Sequence, residues 1–105
     1  MGASGGSRIT TAVFQTLLRI LAFGEDGLEA VHRPRWHTQL VPSTVQTEGW
    51  GEFCFPETDV LALEKRGHEL VSTDWGAVVQ AILVGEDGRM EAVSDARKDG
   101  APAGW

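Results

Sequence analysis

Gly5, Gly6 and Ser7 stand immediately before a stretch of apolar residues at helical spacing, and this turn is the chain's most suggestive chemical feature. Adjacent glycines leave their main-chain N–H groups unshielded, and the start of a helix adds unpaired donors and a positive dipole end. Such a turn suits an anion, or an oxyanion that develops during a reaction. The same residues also read as a flexible Gly/Ser terminus. They do not make a dinucleotide or phosphate loop, because no strand pattern precedes them and no Lys-Ser or Lys-Thr pair follows.

The remaining reactive residue types form no constellation. His32 and His37 lie five apart across Pro34, which rules out presenting a metal pair on one helix face, and no Cys or carboxylate at ligand spacing supports them. His68 stands alone after a helix cap, so neither a metal nor a cofactor is expected. Arg33 and Arg35, which flank Pro34, are expected to tie loop carbonyls and carboxylates together rather than to bind a ligand. Cys54, between Phe53 and Phe55, has no basic neighbour to activate it and reads as packing or a free thiol. Asp95, Arg97, Lys98 and Asp99 read as a solvated or ion-paired tail. Trp36, Trp50, Trp75 and Trp105 read as core or interface anchors. By type and spacing alone, the chain offers half of an active site.

These residues sit in a chain of 105, with nine Lys and Arg against fifteen Asp and Glu, a net charge of −6 and 42% hydrophobic residues. That is one soluble domain, or one piece of a larger one, with too much apolar content for intrinsic disorder. Nucleic acid is excluded as a partner, since phosphate neutralisation needs clustered Lys and Arg and here they are scattered. One cysteine excludes an internal disulfide framework. Met1 to Ser7 lacks a basic region followed by an apolar one, and Ile9 to Phe23 is broken by Thr10, Thr11, Gln15, Thr16 and Arg19, so neither a signal peptide nor a membrane span is expected.

The pattern predicts a helix over Arg8 to Phe23, with Ile9, Val13, Phe14, Leu17, Leu18, Ile20 and Leu21 as a broad buried stripe and Gly24 as its C-terminal cap. One or two helical turns follow over Leu28 to His32, stopped by Pro34. A short strand is expected over Thr44 to Thr47, then a Gly- and aromatic-rich loop from Gly49 to Phe55. Pro56 to Asp59 opens another helix, with Val60, Leu61 and Leu63 on its apolar side, Lys65 and Arg66 near its end and Gly67 capping it. Glu69 to Thr73 is a strand, and Ala77 to Val84 a strand buried on both faces. Gly85 to Gly88 makes a hairpin turn into a returning strand, Arg89 to Ser94, ahead of a polar tail. The mixture predicts an α+β fold.

The stretch Gly2-Ala3-Ser4-Gly5-Gly6-Ser7-Arg8-Ile9 resembles the Gly-Ser-Pro-Gly-Gly-Ser-Arg-Ile motif of the small subunit of γ-glutamyltranspeptidases, also called glutathione hydrolases. Further blocks follow in that family's order: Glu29-Ala30-Val31 leading to Pro34-Arg35-Trp36-His37-Thr38-Gln39, then Lys65-Arg66-Gly67-His68, then Val79-Gln80-Ala81-Ile82. Ser94-Asp95-Ala96-Arg97-Lys98 and the terminal Ala101 to Trp105 complete the likeness, which covers the whole chain. Ser4 stands where the family usually has proline, Trp105 replaces a usual tyrosine, and Trp50 to Phe55 looks like an insertion.

The resemblance implies a partial N-terminal nucleophile hydrolase, an αββα sandwich of two sheets between helices, from a precursor that cleaves itself into two subunits. The hydroxyl of the exposed threonine attacks a γ-glutamyl amide such as that of glutathione, and the γ-glutamyl group passes to water or to an amino acid or peptide. The family's roles carry over to Gly5 and Gly6 as oxyanion-hole N–H donors, one such donor being worth roughly 10² to 10³ in rate. The nucleophile, the residues that bind the substrate's α-amino and α-carboxyl groups, and the large subunit all precede this motif in the family. Residues 1–105 are thus expected to be the C-terminal portion of a small subunit, inactive alone and partnered by the rest of that subunit and the large subunit. The family's place is the extracellular face of the plasma membrane, secreted or periplasmic. A truncated, non-catalytic paralogue acting as an interaction module is the alternative.

Overall fold

The computed structural model describes residues 1–74 and 76–104. In chain order the elements are β1 (Gly2–Ser4), a 3-10 turn (Gly6–Arg8), α1 (Ile9–Phe23), α2 (Gly27–His32), β2 (Trp36–His37), β3 (Thr44–Glu48), α3 (Glu57–Glu64), β4 (Glu69–Thr73), β5 (Val78–Val84) and β6 (Met90–Ser94). Their contacts gather into two units, one made of Met1–Arg33 with the chain from Ala77 onward, the other of Pro34–Gly76. The fold is α+β, as the pattern predicts. Among the described residues, no helix is long and apolar enough to cross a membrane.

The first unit is a three-stranded antiparallel sheet, β1-β5-β6, with α1 and α2 packed on it. Its core is small: Ala12 of α1, Val31 of α2, Ala77, and Val79, Ala81 and Val93 of the sheet. Helix α1 ends where Gly24 takes a left-handed φ of 71°, which turns the chain so that the N–H of Glu25 reaches the Arg19 carbonyl at 3.1 Å. Helix α2 begins at Asp26, whose carboxylate accepts the Glu29 N–H at 2.8 Å. The turn between β5 and β6 closes through Gly85 N to Arg89 O and Gly88 N to Gly85 O, both 2.9 Å.

One of the two readings of the chain's start and two further expectations fail in this unit. The Gly-rich start is not a loose end: Gly2–Ser4 pairs antiparallel with β5, Ala3 opposite Val79, because the β5 edge opposite β6 offers main-chain groups that need partners. The broad apolar stripe of α1 is not its buried face. Ala12, Gln15 and Thr16 are buried, whereas Phe14 is 55% and Leu21 78% exposed. Small residues let the helix approach the sheet closely, and Gln15 and Thr16 satisfy themselves on the Thr11 and Ala12 carbonyls one turn back. Finally, β5 is buried on one face only. Val79 and Ala81 point into the core, whereas Ile82 and Val84 are 63% and 67% exposed, since within this unit the helices cover a single side.

The second unit is the sheet β2-β3-β4, antiparallel between β2 and β3 and parallel between β3 and β4, with α3 as the crossover between the parallel pair. Helix α3 carries Glu57 and Asp59 in its first turn, as its pattern predicts, but buries none of its residues. Val60 and Leu63 are only half-buried, and Leu61 is exposed. The loop Gly49 to Phe55 is held by Phe53, buried and 6.0 Å from the Trp50 ring, and by the Phe55 N–H on the Glu48 carbonyl. Trp75 and Trp105 lie outside the described residues.

Candidate functional site

The turn at Gly5 and Gly6 is built from both ends. Upstream, β1 is fixed to β5 in the register Ser4 opposite Val78. Downstream, α1 is fixed through Ala12 in the core. Between them Gly5 takes φ 146° and Gly6 φ 59°, conformations that only glycine adopts without strain. The first hydrogen bond of the turn runs from Arg8 N to Gly5 O at 3.2 Å, so the N–H groups of Gly5 and Gly6 precede it and have no acceptor within the turn. Gly5 is half-buried and Gly6 exposed.

The two glycines are needed for different reasons. A β-carbon on Gly5 would lie 2.7 Å from the Ala77 α-carbon and 2.8 Å from its β-carbon, so the site has no room for a side chain. At Gly6 a β-carbon would meet nothing within 4 Å, and only the left-handed φ favours glycine. Two residues on, partial burial lowers the pKa of Arg8 from its ordinary value, and the guanidinium stays cationic as arginines do. Gly5 is the N-cap of the 3-10 turn Gly6–Arg8, which runs directly into the 15-residue α1, so two adjacent main-chain donors stand ahead of a helix start, an arrangement suited to negative charge.

Between β5 and the end of α2 lies a buried polar cluster that residue spacing does not announce. Asp95 is fully buried, and the side chain of its partner Arg97 is nearly so, at 2.9 Å between Oδ1 and Nη1. The Asp95 carboxylate also accepts the main-chain N–H of Val79 at 2.8 Å and of Arg97 at 3.1 Å. Arg97 in turn donates to the carbonyls of Val31 and Arg33 at the end of α2, at 3.1 and 2.9 Å. Of the two readings for this charged tail, the ion pair holds for Asp95 and Arg97, whereas Lys98 and Asp99 are exposed to solvent. The only hint in the chain is an acid two residues before an arginine, just past a strand, which is also what a surface tail looks like.

The other candidates serve structure. Arg33 pairs with Glu29, and Arg35, in the second unit, pairs with Glu48, in line with their structural reading. Arg35 and Glu48 are both buried and bonded twice more, Arg35 N to the Glu48 carboxylate at 2.9 Å and Glu48 N to the Arg35 carbonyl at 3.0 Å. His32 Nε2 accepts the Ala96 N–H at 3.2 Å, and His37 lies 3.3 Å from the Gln39 side-chain oxygen. Cys54 is an exposed free thiol directed at the Gly51 carbonyl. Among the described residues, no three His, Cys, Asp or Glu side chains converge as metal ligands.

The whole chain, residues 1–105, matches the profile of the family described as Gamma-glutamyltranspeptidase. It is 35% identical to Glutathione hydrolase 2 of Arabidopsis thaliana, over all of this chain and 20% of that protein. It is 34% identical to the Glutathione hydrolase proenzyme of Escherichia coli K12, over 99% of this chain and 17% of that one. Among solved structures, Gamma-glutamyltranspeptidase from Pseudomonas nitroreducens complexed with L-DON superposes with a TM-score of 0.87 at 30% identity, covering 99% of this chain and 53% of that one. The chain thus spans about half the length of that solved chain, and about a fifth of these two hydrolases.

Proposed function

The chain belongs to the γ-glutamyltranspeptidase family, and on that footing we propose that residues 1–105 are the C-terminal portion of a small subunit whose Gly5 and Gly6 form the oxyanion hole of a γ-glutamyl transfer reaction. Its α+β fold is that of the family's N-terminal nucleophile hydrolase structures, of which it covers about half. The observation that carries the proposal is the turn itself: two adjacent N–H groups ahead of the first hydrogen bond of the turn, one on a glycine that nothing larger can replace.

In this reading the threonine hydroxyl, from polypeptide outside these residues, adds to the carbonyl carbon of the γ-glutamyl amide, and its proton passes to the threonine's own amine. The carbonyl oxygen becomes an oxyanion, and the amides of Gly5 and Gly6 donate to it. Collapse breaks the C–N bond, the proton leaves with the departing amine, and the γ-glutamyl group remains as an ester on threonine. Water or an acceptor amine then releases it through the same oxyanion. Donors held rigidly by β1 and α1 need no reorganisation when charge appears, which is how such donors lower a barrier. The rest of the small subunit, the large subunit and a γ-glutamyl peptide such as glutathione are the partners. By the same resemblance the assembled enzyme works at the extracellular face of the plasma membrane, secreted or in a periplasm.

Two open apolar surfaces support the partnership, namely the exposed side of α1 and the outer face of β5. The test is hydrolysis of a γ-glutamyl anilide. The purified 105-residue chain should show none, and its co-expression with the rest of the enzyme should produce it. Turnover by the purified chain, abolished by a substitution within it, would overturn the reading.

A further inference from the structure

Ala77 is the residue on which the Gly5–Gly6 turn rests. It is 3% exposed and joins the core through Ala12, Val31, Val79, Ala81 and Val93. A β-carbon on Gly5 would fall 2.7 Å from its α-carbon and 2.8 Å from its methyl group, so the two main chains cross with no layer of side chain between them. The contact follows from register: Ser4 pairs with Val78, and one step further the chain brings Gly5 over Ala77.

We propose that Ala77 is a positioning residue for the oxyanion turn, setting by its small volume the height and aim of the Gly5 and Gly6 amides. This rests on the oxyanion reading above. The turn has no slack with which to absorb a larger neighbour, because β1 fixes it on one side and Ala12 of α1 on the other. Two extra methyl groups at position 77 have to enter a packed core or lift Gly5, and cores resist the first. Lifting Gly5 rotates its peptide away from an oxyanion that needs donors about 2.7–3.1 Å away. The effect falls on the transition state, where the charge exists, and leaves binding of the neutral amide nearly untouched.

The experiment measures kcat and KM for γ-glutamyl anilide hydrolysis by the assembled enzyme carrying Ala77→Gly, Ala77→Ser, Ala77→Val and, separately, Gly5→Ala. Expected is a graded fall in kcat with side-chain volume, about tenfold or more for Ala77→Val, with KM within about twofold of the parent; Ala77→Gly retains most of the turnover. Should Ala77→Val fail to assemble, Ala77→Ser, one atom larger than alanine, is read alone and still lowers kcat at constant KM. Parental kcat for the larger variants, or a rise in KM at constant kcat, alongside an inactive Gly5→Ala, overturns the positioning role and leaves the oxyanion reading standing. Parental turnover by Gly5→Ala overturns the oxyanion reading, and the role of Ala77 with it.

Discussion

The carboxylate of Asp95 accepts the main-chain N–H of Val79 at 2.8 Å, so a side chain continues the hydrogen bonding of β5 beyond the last residue of β6. Val79 is also the residue opposite Ala3, on the strand that leads into Gly5. One buried acid thereby ties the tail, through Arg97, to α2 and to the sheet that leads into the Gly5–Gly6 turn.

Asp95→Ala is expected to destabilise the fold by ~3–5 kcal/mol, because it strands the buried Arg97 guanidinium and leaves the Val79 amide without an acceptor. Asp95→Asn keeps the shape and one acceptor oxygen and should cost less. Denaturant unfolding of the two variants gives the comparison, and equal stability of Asp95→Ala and the parent would refute it.

Gly76→Ala should disturb the second unit. The added β-carbon would lie 2.2 Å from Oε1 of Glu48, a buried carboxylate that holds the Arg35 amide and so cannot simply swing aside. A loss of about 1–3 kcal/mol is expected from overpacking. Gly67→Ala, where a β-carbon meets nothing within 4 Å, isolates the cost of a left-handed φ and serves as the comparison.

The exposed side of α1 predicts self-association of the isolated chain. Phe14 and Leu21, 55% and 78% exposed, offer apolar surface that water disfavours. Phe14→Lys with Leu21→Lys should shift sedimentation toward monomer and change unfolding stability by less than about 0.5 kcal/mol per site. On the proposed partnership with the rest of a γ-glutamyltranspeptidase, the same pair should also impair association, which co-purification would report.

Asp26→Ala removes the acceptor for Glu29 N–H and should cost ~1 kcal/mol, whereas Asp26→Ser should retain most of the cap. Thermal melts of the three proteins suffice.

Much of this architecture is readable one segment at a time. The 3.6-residue period marks α1, Gly24 its end, Pro34 the limit of α2, and Gly85 to Gly88 the hairpin, since each signal acts between near neighbours. Strand β1 escapes detection because Gly2, Ala3 and Ser4 have no β-branched or aromatic side chain, and β2 because two residues carry no period. The buried face of α1 is misread for a related reason: periodicity identifies an apolar side, and what covers that side is decided elsewhere.

The amino-acid sequence by itself determined the helix and turn boundaries and the glycines able to adopt positive φ, properties of residues within a few positions of one another, and also the family likeness, carried by ordered blocks along the whole chain. Only the tertiary structure decided that Gly5 presses on Ala77, that the side chains of Asp95 and Arg97 are interior, and that α1 buries Ala12, Gln15 and Thr16 and leaves Phe14 and Leu21 outside. These outcomes depend on strand register and on which surfaces remain uncovered. Both arise from contacts across tens of residues, where the free energy of packing, and not local preference, selects the arrangement.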